Sequence, residues 1–99
     1  MDNTLVRFFN KINFEYSDSF VGTTVLKVAV NKQKETWKVY LSSPKVINVE
    51  EMIKLFDKAN EGLIDVEKID IVMNYEEVTN EDIINYVKFF LNEKIKENP

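Results

Sequence analysis
The sequence predicts an α+β fold: a two-layer domain with a three-stranded, mainly antiparallel sheet, helices on one face, and the order α-β-β-α-β-α. Three observations predict it. Apolar residues recur at helical spacing in three separate segments, the pattern that gathers side chains into a stripe. Three other segments alternate apolar and polar residues and are rich in β-branched types, the pattern of half-buried strands. Finally, 99 residues with 44% hydrophobic side chains and only two glycines suit a single domain over 1–99 with one core.

The elements follow in order. Leu5, Phe8, Phe9 and Ile12 form the first helical stripe, with Asp2, Asn3 or Thr4 available as cap. Residues 20–30, FVGTTVLKVAV, read as a strand with Leu26, Val28 and Val30 on one face and Val25, Lys27 and Ala29 on the other. Asn31 to Glu35 are polar and suit a hairpin loop. Trp37, Val39 and Leu41 then alternate with Lys38, Tyr40 and Ser42 until Pro44. Trp37 lies on the apolar face and is expected in the core.

Asn48 is the expected cap of a second helix, with Glu50 and Glu51 in its first turn, where the helix dipole favours acids. Val49, Met52, Ile53, Phe56 and Ala59 should form its buried face, and Gly62 should end it. Residues 67–75 alternate again, placing Ile69, Ile71, Met73 and Tyr75 opposite Lys68, Asp70, Val72 and Asn74. Thr79 and Asp82 have capping-box spacing ahead of Ile83, Ile84, Val87, Phe90, Leu91 and Ile95, a third helical stripe. Because the first strand carries Val25 and Ala29 even on its outer side, it is expected to be central, giving the strand order 2-1-3 with antiparallel pairing.

Composition excludes much chemistry. Without cysteine or histidine the chain has no disulfide, thiolate nucleophile, imidazole base or ordinary zinc site. Adjacent acids at Glu50/Glu51, Glu76/Glu77 and Glu81/Asp82 fall in or just before first helical turns, where they interact with the dipole, so no catalytic pair or metal site is assigned. No glycine-rich run precedes a helix, and no cofactor or small-molecule substrate is expected. Arg7, Asn10 and Lys11 interrupt the start before any signal-peptide length of apolar residues, and no membrane-spanning run occurs, so a cytoplasmic protein is expected.

The formal net charge is -4, yet residues 19–47 hold Lys27, Lys32, Lys34, Lys38 and Lys45 against Glu35 alone. Alternation places Lys27, Lys38, Tyr40 and Lys68 on the sheet face opposite the core, with Lys32 and Lys34 in the hairpin loop. An aromatic among lysines on an open sheet is a candidate partner-binding surface, for a protein or for a nucleic-acid backbone. The alternative reading is a merely solvated face, since lysines also discourage edge pairing.

The segment Lys34 to Pro44, KETWKVYLSSP, is preceded by LKVAVNKQ and followed by a helix containing Phe56 and by DVEKIDIVMNYE. In these features and in the order of elements, the chain resembles the first of the two N-terminal domains of the PolC-type DNA polymerase III alpha subunit. Met1, just ahead of the first helix, suits the start of such a polymerase. The resemblance implies an accessory domain with no chemistry of its own, the polymerase and 3'-5' exonuclease belonging to other modules of the parent. It also implies a fold like the C-terminal polymerase-binding domain of the clamp-loader tau subunit and, more distantly, a truncated KH-like fold. The Gly-x-x-Gly loop by which KH domains clamp RNA is missing, so that activity is not carried over. The expected function is docking to a replisome protein, with tau as candidate partner. The alternative is an auxiliary nucleic-acid contact through Lys27, Lys32, Lys34, Lys38 and Lys68 with Tyr40 for stacking.

Overall fold
Aspartate and asparagine side chains that accept hydrogen bonds from free backbone N–H groups start the first two helices. In the computed structural model, which describes residues 2–62 and 66–97 and side chains through residue 92, Asp2 caps α1 (Asn3–Lys11) by accepting from Thr4 N at 2.8 Å. Asn48 does the same for α2 (Val49–Gly62) through Glu50 N. The third helix, α3 (Asn80–Glu97), opens on the expected capping box: Asp82 N donates to Thr79 Oγ1 and Thr79 N donates to Asp82 Oδ2. At the end of α1 the chain reverses through Asn13 at φ 56°, a left-handed position that asparagine tolerates. There Phe14 N bonds Phe9 O and Asn13 N bonds Asn10 O, the two bonds of a Schellman cap. The Phe9 and Phe14 rings meet edge to face across this cap at 5.1 Å, so closing the helix also starts the core.

Between α1 and α2 lie β1 (Thr24–Asn31) and β2 (Thr36–Lys45), and β3 (Lys68–Glu77) follows α2. The order α-β-β-α-β-α holds, but the strand order is β1-β2-β3, not 2-1-3. β1 is an edge strand, and the antiparallel expectation holds only for β1 with β2, since β3 runs parallel to β2. The reason is the connection. A four-residue turn joins β1 to β2, whereas α2 carries the chain back along the sheet before β3 begins, which is what parallel neighbours require.

The apolar outer positions that made β1 look central have another cause. The register shifts between Val25 and Lys27, so Val25 pairs with Leu41 on the core side and Leu26 becomes exposed. Beyond the bulge, Val28 and Val30 face inward opposite Val39 and Trp37, as expected, and Lys27 and Ala29 face outward.

Leu5 and Phe9 of α1 with its capping residue Ile12, Leu55 and Ala59 of α2, and Val39, Leu41 and Ile69 of the sheet form the core, closed by Phe14, Phe20 and Ile47. The buried stripe of α2 is Val49, Leu55 and Ala59, with Met52 partly covered; Ile53 and Phe56, expected inside, are exposed at its border. Trp37 is half-buried against the core. The expected stripe of α3 is the largest departure. Ile83, Ile84, Val87, Phe90 and Leu91 are each 50–56% exposed, and Ile95 lies outside the described side chains. α3 meets the inner side of the sheet near its N-terminal end, where Tyr86 donates its hydroxyl to Ile47 O and joins Tyr75, Ile83 and Val87 around an apolar cavity of about 280 Å³. Desolvation by partial burial, reinforced by Tyr75, raises the Tyr86 pKa far above the ordinary phenol range.

Candidate partner interface
Alternation along three paired strands produces an outer sheet face on which rows of side chains run across the sheet. One row is Lys27 on β1, Tyr40 on β2 and Val72 on β3; the next is Ala29, Lys38 and Asp70; and Thr36 pairs with Lys68 at the end. Of the expected site residues, Lys27, Lys38, Tyr40 and Lys68 share this face, while Lys32 and Lys34 stand in the turn at its end. That turn is shaped by Asn31 Oδ1, which accepts from Lys34 N, and by Glu35 at φ 54°, whose carbonyl accepts from Glu67 N at 2.7 Å. The hairpin tip is thereby tied to the entry of β3.

Neighbours modify each charge. The Lys27 ammonium sits 4.6 Å from the centroid of the Tyr40 ring, a cation–π contact that covers one face of the only aromatic on the patch. Lys68 pairs with Asp70 at 3.5 Å, both well exposed, so the pair adds little stability but reduces the local positive charge. Lys38 is exposed beside Asp70. The face is therefore mildly cationic and only modestly aromatic.

Sequence reasoning missed the devices at the two sheet edges. Asp2 reaches beyond its own helix, and its second oxygen accepts from Val25 N at 3.0 Å. Together with the Thr4 bond, this holds its carboxyl below the usual carboxylate range. On the opposite edge, Asn60 of α2 copies a strand: its Oδ1 accepts from Ile69 N and its Nδ2 donates to Ile69 O. Asn60 is a single polar residue beside Ile53 and Phe56 on its helix and Asp2 reads as a simple cap, so neither role had a local signal. A groove between α1 and β1, lined by Arg7, Lys11, Phe8, Val25, Val28 and Trp37, was also hidden, because its walls are distant in sequence.

Among the described residues, no cluster of three or more acids could hold a metal ion, and no helix is long and apolar enough to cross a membrane. No curated protein and no solved structure gives a significant match to the chain. The family model described as DNA polymerase III polC-type N-terminus I matches residues 5–73, a span that holds α1, β1, β2, α2 and the first half of β3. With most of its length matched, the chain belongs to the family of N-terminus I domains of PolC-type DNA polymerase III.

Proposed function
We propose that the domain is a non-catalytic docking module of a PolC-type replicative polymerase, working in the cytoplasm and contacting a replisome protein through the outer face of its sheet. Lys27, Lys38, Tyr40 and Lys68 are the contact residues, with Lys32 and Lys34 extending the surface at the hairpin tip. Polymerase and exonuclease chemistry belongs to other modules of such a parent. The observation that carries the reading is the outer face itself, with Lys27 and Lys38 exposed on an otherwise acidic protein.

A protein partner with an acidic surface fits better than nucleic acid. Lys27 occupies one side of the Tyr40 ring that a base would need, and a net charge of -4 opposes a polyanion. The clamp-loader tau subunit is the partner we put forward. Titration of the domain with tau and, separately, with single-stranded DNA, followed by amide NMR shifts, tests this. Tau should shift Lys38, Tyr40 and Lys68, and the double charge reversal Lys27→Glu, Lys38→Glu should weaken that contact while leaving stability nearly unchanged. A steeply salt-dependent DNA signal on the same residues would replace docking with nucleic-acid binding, and silence from both ligands would reduce the lysines to a solvated face.

A further inference from the structure
We propose that the free edge of β1, together with the groove between β1 and α1, receives an acidic extended peptide segment of a protein partner, which adds to the sheet as a fourth strand. This rests on the docking reading and gives it a second surface and a partner chemistry.

The backbone supplies the first part of the argument. An antiparallel strand turns its N–H and C=O groups alternately toward its neighbour and away. Val25 donates to Asp2 and not to β2, so its groups face the free side. The bulge absorbs Leu26, Lys27 pairs with Tyr40, and alternation then sends the groups of Val28 and Val30 outward. Natural sheets protect such edges. Asn60 protects the β3 edge at Ile69, and Asp2 protects the β1 edge at Val25. Among the described residues nothing pairs with Val28 and Val30 on that side, and their side chains are 45% and 52% exposed.

The side chains supply the occupant. Beside this edge lies the groove of about 220 Å³, with Phe8, Val28 and Trp37 among its apolar walls and Arg7 and Lys11 from α1 along it. On the other side of the edge strand, Lys27 points outward and Ala29 gives access to Lys38. An added strand would therefore place alternate side chains against an apolar floor near two cations and the others beside lysines. Asp2, the acid at this edge, is engaged by two backbone N–H groups. Charge complementarity thus selects alternating apolar and acidic residues. A second copy of this chain is the poorer occupant, because two-fold pairing through β1 would bring Arg7, Lys11 and Lys27 toward their own equivalents.

The test uses the 99-residue chain and three capped probes of about eight residues: one alternating glutamate with valine, its lysine–valine counterpart, and the glutamate peptide N-methylated at alternate residues to block ladder bonds. The glutamate peptide should shift the Val28 and Val30 amides and slow their exchange with solvent. It should bind at least about tenfold more tightly than the lysine peptide, as several favourable charge contacts become unfavourable. N-methylation of the register that bonds β1, and the substitution pair Arg7→Glu, Lys11→Glu, should each abolish the shifts. Equal binding of both charge types, survival of binding after N-methylation of the register that bonds β1, shifts confined to α3 or the outer face, or no binding would overturn the proposal. The tau titration described above is read separately. Tau shifts on the outer face without peptide binding would sink this inference and leave docking intact, whereas peptide binding without any tau contact would do the reverse.

Discussion

Phe9 and Phe90 look alike in sequence, each an aromatic in an apolar helical stripe, and the structure assigns them opposite energetics. Phe9 is 0% exposed, and its ring lies 5.1 Å from Phe14 and 5.4 Å from Phe20, both edge to face, and 5.3 Å from Tyr16. Truncation of a buried phenylalanine costs about 3–5 kcal/mol, and loss of several aromatic pairs, each worth about 0.5–1.5 kcal/mol, places Phe9→Ala toward the upper end. Phe90, more than half exposed, leaves no cavity, so Phe90→Ala should cost about 1 kcal/mol or less. With a urea slope of about 1.5 kcal/mol/M, the first substitution lowers the unfolding midpoint by about 3 M and the second by less than about 0.7 M. Because a domain of this size holds only about 5–15 kcal/mol, Phe9→Leu provides a milder companion, expected to cost about 1–1.5 kcal/mol. Urea unfolding followed by circular dichroism reads all three. Equal midpoint shifts for the two alanine variants would refute the reasoning, because α3 would then have to be packed as tightly as α1.

Three further outcomes follow from the same geometry. Gly62→Ala should destabilise by about 1–3 kcal/mol by thermal unfolding, although alanine favours helix by about 1 kcal/mol, because the new Cβ would come within 2.8 Å of Ile12 Cα; stabilisation would show that α1 and α2 lie farther apart. Asn60→Ala strips both bonds from Ile69 and should cost about 1–2 kcal/mol while speeding amide exchange at Ile69, and an unchanged exchange rate would mean that the edge is closed by something else. Asp2 is held below its ordinary value of 3.8 first by the Val25 N–H and then by the Thr4 N–H, so its contribution is present above that value and is lost as pH falls through the depressed folded value. Asp2→Asn should therefore flatten the acid limb of a stability profile below about pH 4, and an unchanged limb would remove Asp2 from the account.

Helices and strands were legible because their signals are local. The stripe Leu5, Phe9, Ile12 needs only a period of 3.6, the box Thr79/Asp82 needs four residues, and the alternation from Trp37 to Leu41 needs five. The same alternation put Lys27, Lys38, Tyr40 and Lys68 on one face before any fold was known, because pleating sends every second side chain to the same side whichever strands are neighbours. The resemblance to the PolC-type N-terminal domain was legible for a similar reason, since it rested on the order of elements and the segment around Trp37, and the family match over residues 5–73 bears it out.

Strand order, the bulge at Leu26, the edge roles of Asp2 and Asn60 and the exposure of α3 were decided by tertiary structure. Each depends on which distant surface arrives beside a residue. Val25 and Leu26 are both apolar, and only the register with Leu41 and Tyr40 turns one inward and leaves the other in solvent. An apolar helical stripe states that a face avoids water without naming what covers it. In α1 that cover is the sheet and the aromatics after the helix, whereas the stripe of α3 extends past Tyr75 and remains half exposed. Periodicity carries the orientation of a side chain relative to its own backbone; burial also requires a second surface, and that surface is supplied only when the chain has folded.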